Sequence, residues 1–290
     1  MSFARLASRV AVGGVSAALA TAGLVGVTST SASAAPVSST YTCTTPIGPI
    51  TVGVSVDVAL LPSTAPAGYP VPAGLLGFKS NLTIDNATAG TLAGVGVTSA
   101  KSDDFGTAFG DTVAKAPVVW PAPGVSDGTN TTWAGKGANG AFQLPKAGSY
   151  TVAMPKTFNL IATNASGATV ATAPCTTAAP ATIGNIVLSK QASKVKAKAT
   201  PKSAKKGATV TVKGKVTNDY VKTGGPEATG KVIIKDGKKK VGTGKLKKGK
   251  FVIKVKGLAV GSHELTVSYK GDDFTDKGVT KKPLKVTITK

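Results

Sequence analysis

Between Thr229 and Asp273 the chain alternates with a period of two, in TGKVIIKDGKKKVGTGKLKKGKFVIKVKGLAVGSHELTVSYKGDD. Successive side chains of a β-strand point to opposite faces, so a two-residue period marks strands with one apolar and one wet side and excludes an amphipathic helix. Phe251, Ile253 and Val255 alternate with Lys250, Val252, Lys254 and Lys256; His263, Leu265, Val267 and Tyr269 alternate with Glu264, Thr266, Ser268 and Lys270. The pattern continues outward, with Val195, Ala197 and Ala199 between Lys194, Lys196 and Lys198, and Val210, Val212 and Val216 beside Lys213 and Lys215. Val232 and Ile234 lie between Lys231 and Lys235, Asp236-Gly237 supplies a tight turn, and Leu284, Val286 and Ile288 close the series. About seven short strands in such a span predict an immunoglobulin-like sandwich over residues 190–290.

Lysine occupies most outward positions of these strands. Residues 1–190 hold nine basic residues against six aspartates, whereas residues 191–290 hold twenty-six lysines against seven acidic residues, so nearly all of the formal +22 charge belongs to the last hundred residues. Two readings stand. Lysines keep a surface soluble and blunt strand edges, which makes them a solvated coat on both outer faces of the sandwich. Alternatively Lys196, Lys213, Lys215, Lys231, Lys235, Lys254 and Lys256 bind a polyanion, such as an anionic cell-wall polymer. The only arginines are Arg5 and Arg9, and Phe251 and Tyr269 point inward. Bidentate base readout favours arginine and base stacking needs exposed aromatics, so sequence-specific nucleic-acid binding is not expected.

Ahead of this region lie a leader and a second domain. Arg5 and Arg9 precede the apolar run VAVGGVSAALATAGLVGV, and Ala32-Ser33-Ala34 offers a cleavage site, so residues 1–34 read as a secretory signal peptide. No membrane span is expected after cleavage. Export permits disulfides, and the two cysteines, Cys43 and Cys175, are expected to form one, with free thiols as the alternative. Residues 35–189 then read as a disulfide-closed β domain. Residues 50–60 alternate strictly, prolines at 62, 66, 70 and 72 exclude a helix or central strand, and short β-like runs follow, Thr91 to Ser99 among them. Spacing of this kind predicts a sandwich or barrel, and the fold class expected for the whole chain is all-β, with two β-sandwich-type domains. Only Thr98 to Asp111 reads as room for a helical turn. Trp120 and Trp133 admit two readings, core packing or a glycan-stacking pair, the latter making the first domain a glycan or protein binder.

Motifs for catalysis do not assemble. Gly124-Val125-Ser126-Asp127-Gly128 matches G-x-S-x-G, but a Trp-Pro-Ala-Pro run precedes it, no helix follows, and the one histidine, His263, lies in the other domain. Gly135-x-Gly137-x-x-Gly140 lacks the helix whose N-terminus would hold a pyrophosphate. Asp103-Asp104 with Asp111, and Asp272-Asp273 with Asp276, offer oxygen ligands for calcium without an EF-hand pattern. No enzyme activity, cofactor or resident metal is expected.

The stretch from Gly230 to Gly278 resembles the bacterial Ig-like repeat family. The resemblance is carried by Gly230, Asp236, Gly237, Gly242, Gly244, Leu246, Leu258, Gly261, His263, Leu265, Tyr269, Gly271 and Asp272. It implies an immunoglobulin fold used as a spacer or adhesive module, with no catalytic residues to carry over; the lysine load is heavier than the family leads one to expect. The first domain, with YTCTTPIGPITVGV near its start and a cysteine at its end, resembles an uncharacterised module of secreted actinobacterial proteins, which implies compartment alone. Together these readings predict an exported structural or adhesive protein of the bacterial envelope.

Overall fold

The computed structural model describes residues 36–58 and 61–290; the expected signal peptide lies outside them. Both regions are all-β. In the first, eight antiparallel strands follow one another around a sheet: Asn130–Ala138, Gly77–Asp85, Gly48–Val58, Val37–Thr45, Thr169–Thr176, Thr157–Thr163, Ser99–Ser102 and Val118–Trp120. The last pairs back onto the first, with Lys136 opposite Val119 and Gly137 opposite Val118, so the sheet closes into a ring. Closure explains two glycines of the apparent dinucleotide fingerprint. A Cβ on Gly135 would lie 2.3 Å from the Val119 carbonyl oxygen, and one on Gly137 would lie 2.2 Å from the Phe78 ring. Alternation within the strands then fills the ring with Tyr41, Val52, Val54, Leu82, Ile84, Trp120, Phe158 and the cystine.

That cystine is the expected one, Cys43 to Cys175, joining residues directly opposite each other on neighbouring strands. In the chain-entropy account a bridge across a separation of 132 residues restricts the unfolded state strongly, by about 4–5 kcal/mol before native strain is subtracted. Beside the ring a five-stranded sheet, centred on Gly148–Ala153 and Thr182–Ser189, packs Val152, Phe109, Ile186 and Leu188 into a second apolar cluster. The helix among the described residues is Asn86–Gly94, where a strand was expected from Thr91; it starts because the Asp85 carboxylate accepts the Thr88 amide at 2.8 Å. Thr98 to Asp111, where a helical turn was expected, instead carries the strands Ser99–Ser102 and Gly106–Phe109.

The second region is a two-sheet sandwich. One sheet has three strands, ordered Lys194–Thr200, Val210–Thr217, Lys250–Val255. The facing sheet runs Ser203–Lys205, Leu284–Thr289, Gly261–Tyr269, Lys231–Asp236, Lys239–Lys245, with Gly278–Val279 paired to Gly261–Tyr269. Between them Val210, Val212, Val232, Ile234, Val255, Leu265, Val267 and Tyr269 are buried, the inward set that the alternation predicts.

The two regions meet through a compact joint. Gln191 is buried there: its side-chain amide donates to the Ala67 carbonyl at 2.9 Å, its backbone N–H donates to Phe274 at 2.8 Å, and its carbonyl accepts from the Asp276 amide at 2.8 Å. Tyr69 and Tyr220 pack edge to face at 5.0 Å. A Cβ on Gly68 would lie 2.6 Å from Pro226, so only glycine lets the backbones approach this closely.

Candidate functional site

The three-stranded sheet turns a lysine-bearing face outward. Strand register sets Lys196 opposite Lys215 and Lys215 opposite Lys250, making one row of three; Lys198 stands opposite Lys213 in the next row, and Thr211 opposite Lys254 in a third. All of these lysines are exposed. Strand geometry puts lysines of one row ~5 Å apart at the backbone and rows ~7 Å apart. None of the three strands contains an acidic residue. Asp219, at the border, pairs with Lys194, and Lys256 follows the end of Lys250–Val255.

The opposite outer face is built differently. Lys231 stands opposite Lys245 and Lys235 opposite Lys240 on one side; on the other side Lys235 faces Thr266 and Ile233 faces Ser268, and further along Ser262 faces Thr287. Lys285, on the strand next to this sheet's edge, stands opposite Glu264 with their charged atoms 4.0 Å apart. The lysines of the candidate set are therefore divided unequally between the two faces. Lys196, Lys213, Lys215 and Lys254 share one face, Lys256 adjoins it, and Lys231 and Lys235 lie on the other. The candidate set leaves out Lys198 and Lys250, which belong to the rows. Alternation marks both as outward, but only the pairing of strands distant in sequence shows that they join one face.

At the open side of the three-stranded sheet lies a groove of about 500 Å³. Lys198, Lys202 and Lys285 line it together with Ala199, Pro283 and Leu284. A second groove, of about 460 Å³, lies on the ring's surface beside Lys79, Asn81, Val119, Pro121 and Lys136.

The two tryptophans do not form a stacking platform. Trp120 is 0 % exposed inside the ring, its indole N–H donating to Ser80 Oγ at 3.1 Å, which removes it as a glycan contact. Trp133 is half-buried, donates to the Thr98 carbonyl at 3.1 Å, and crowds Gly124, where a Cβ would lie 2.6 Å from the indole. A large aromatic among short strands has more to gain from burial than from exposure.

The remaining motifs hold loops in place. Ser126 donates to Asn86 Oδ1 at 3.1 Å, and Asp127 accepts the Thr129 and Asn130 amides. His263, in the other region, sits between Asp236 Oδ2 at 2.7 Å and the Ala259 carbonyl at 2.8 Å. The Ala259 carbonyl first and then Asp236 raise its pKa, since both accept hydrogen bonds from the imidazolium. Asp104 and Asp272, from the two candidate calcium clusters, are spent on protein donors: Asp104 on Asn159, and Asp272 on the Thr229, Phe274 and Thr275 amides. Burial alone raises each pKa, but the hydrogen bonds outweigh it and both end lowered. Among the described residues no group of three His, Cys, Asp or Glu is placed to hold a metal ion.

Comparison with known proteins divides the chain in the same way. A family described as bacterial Ig-like domain (group 3) matches residues 195–289. A second, described as a family of unknown function (DUF6801), matches residues 40–184, half of the chain. The chain belongs to the DUF6801 family. In this DUF6801 protein the family region spans most of the ring and of the five-stranded sheet, ending within Thr182–Ser189, and the bacterial Ig-like domain follows it. No curated protein matches. Solved structures that align include the fibronectin(III)-like modules of Clostridium thermocellum CbhA, at 11 % identity, covering 81 % of this chain and 94 % of that one, with a TM-score of 0.29. A putative membrane anchored protein from Corynebacterium diphtheriae aligns at 14 % identity over 88 % of this chain and 59 % of its own, with a TM-score of 0.31. The adhesin InvE of Yersinia pseudotuberculosis aligns at 11 % over 80 % and 58 %, with a TM-score of 0.30. At such TM-scores none of these likenesses bears on what the chain does.

Proposed function

We propose that this protein is exported and works without catalysis at the bacterial envelope, as a structural or adhesive protein held to an anionic polymer by the three-stranded face of its Ig-like domain. One observation carries the reading. Lys196, Lys215 and Lys250 stand directly opposite one another with no carboxylate on their strands. Like charges directly opposite destabilise an antiparallel pair by a few tenths to about 1 kcal/mol. A coat selected for solubility alone would intersperse the charges; the opposite face does so in part, with Thr266, Ser268 and the Glu264–Lys285 pair beside its two lysine pairs, and the three-stranded face does not. A polymer carrying negative charge relieves the repulsion and gives the arrangement a use.

Export is supported by the leader-like residues 1–34 and by the cystine. Among the described residues no helix is long and apolar enough to cross a membrane. The test is retention of the mature protein on purified cell wall across a salt series. Binding at low salt with steep release as salt rises supports the reading, since attraction between exposed charges is screened over ~10 Å at 0.1 M. Flow-through at low salt overturns it. A second reading, a glycan- or protein-binding first domain with the Ig-like domain as spacer, rests on the groove beside Lys79 and Lys136.

A further inference from the structure

Lys198 belongs at once to the lysine rows and to the groove at their edge. Moving outward along its row, Lys213 leads to Lys198, and the groove beyond continues the line with Lys202 and Lys285 above a floor of Ala199, Pro283 and Leu284. From this continuity we infer that face and groove together take one flexible, single-chain polymer of phosphodiester-linked polyols, running across the strands and into the groove. The inference rests on the proposed anchoring and names its ligand class.

Three features select that class. Path is the first: two interstrand gaps give the face only ~10 Å in the direction the polymer runs before the line turns into the groove, a course that a flexible single chain follows and a stiff duplex does not. Apolar content is the second. Val252, 62 % exposed, is the one large apolar side chain exposed on the three strands, too little for insertion among lipid acyl chains. The third is the groove itself, where cations alternate with an apolar floor. A chain of phosphates joined by short carbon segments matches that alternation: phosphates meet the ammonium groups, and the carbon segments cover Ala199, Pro283 and Leu284. Inorganic polyphosphate carries the charge without the carbon, and a polycarboxylate lacks the phosphate oxygens.

Binding of the mature protein to four probes tests this: poly(glycerol phosphate), inorganic polyphosphate, polyglutamate and a short DNA duplex, each in a salt series. The expected order places poly(glycerol phosphate) first at equal charge. A groove variant, Lys198→Gln with Lys202→Gln and Lys285→Gln, should bind it about tenfold more weakly. Its salt slope should be lower by about 2, because each lysine that neutralises a phosphate of a single chain adds ~0.7. A charge-matched variant at the remote hairpin, Lys238→Gln with Lys239→Gln and Lys240→Gln, should stay within about twofold. Equal weakening in the two variants, or equal binding of all four probes, overturns the inference while leaving diffuse anchoring intact. Preference for the duplex, for inorganic polyphosphate or for polyglutamate also overturns it. Failure to bind any probe removes the anchoring reading itself.

Discussion

The two outer faces of the Ig-like domain are made from the same alternating pattern and use it to different degrees. On the three-stranded sheet, register stacks Lys196, Lys215 and Lys250 into a row and leaves the acidic residues elsewhere. Across the core, the larger sheet dilutes its lysines with Ser262, Thr266, Ser268 and Thr287 and balances Lys285 with Glu264. Number of charges is therefore a weaker description of this surface than their placement. Both faces set lysines opposite one another, but the three-stranded one extends them into a row of three, whereas the larger sheet holds them as the pairs Lys231–Lys245 and Lys235–Lys240.

The largest expected effect breaks the comparison outright. Lys196→Glu with Lys215→Glu and Lys250→Glu should abolish retention on an anionic resin at moderate salt, taking at least about 2 from the salt slope. Lys231→Glu with Lys235→Glu and Lys245→Glu, an equal charge change on the other face, should move the slope by less than about 1. Similar effects in both would mean that placement is irrelevant.

Asp272→Asn changes stability while leaving both faces alone. It replaces a carboxylate that accepts the Thr229, Phe274 and Thr275 amides and should cost about 1–3 kcal/mol in urea unfolding, with the salt slope unchanged. Because the Asp272 pKa is lowered on folding, its contribution is present above the unfolded value near 4 and disappears as pH falls through the lower folded value.

His263 has the opposite sign. Its raised pKa makes its contribution complete below about pH 6.5 and lost as pH climbs through the folded value. Wild-type thermal stability should therefore decline between pH 6 and pH 9 by about 1 kcal/mol more than in His263→Gln. Parallel pH profiles would remove the Asp236 and Ala259 contacts from the account.

The subtlest tests sharpen the contrast. Lys215→Glu places an acid between Lys196 and Lys250 and should stabilise the domain by ~0.5–1 kcal/mol while weakening polymer binding. Lys285→Glu, set opposite Glu264, should destabilise it by a few tenths of a kcal/mol. Equal signs in the two denaturation curves would show that the rows carry no repulsion.

Much of the fold was legible because alternation is local. Val210 and Val212 declare their inward faces within a few residues, and Lys213 and Lys215 their outward ones. Which lysines become neighbours is not local: Lys196 and Lys250 share a row only through Val210–Thr217 between them, and no period in the sequence records that pairing. Closure of the ring was hidden for the same reason, since nothing near Gly135 and Gly137 in the sequence points to Val119 and Phe78, which pack against them. Helix Asn86–Gly94 buries no residue and has no apolar stripe to signal it. Trp120 could be read as core or ligand because its strand, Val118–Trp120, is too short to declare an inner side.

The cystine has a mechanical meaning for a tethered protein. A pull entering near residue 36 and leaving through the Ig-like domain passes from Cys43 straight to Cys175. The 132-residue separation is short-circuited by a covalent bond, and the intervening strands feel almost none of the load. Under tension the strands between the two cysteines are passengers. The elements that yield first are then the ones outside the bridge: the start of strand Val37–Thr45, strand Thr182–Ser189, the connection through Gln191 and the strands of the Ig-like sandwich itself.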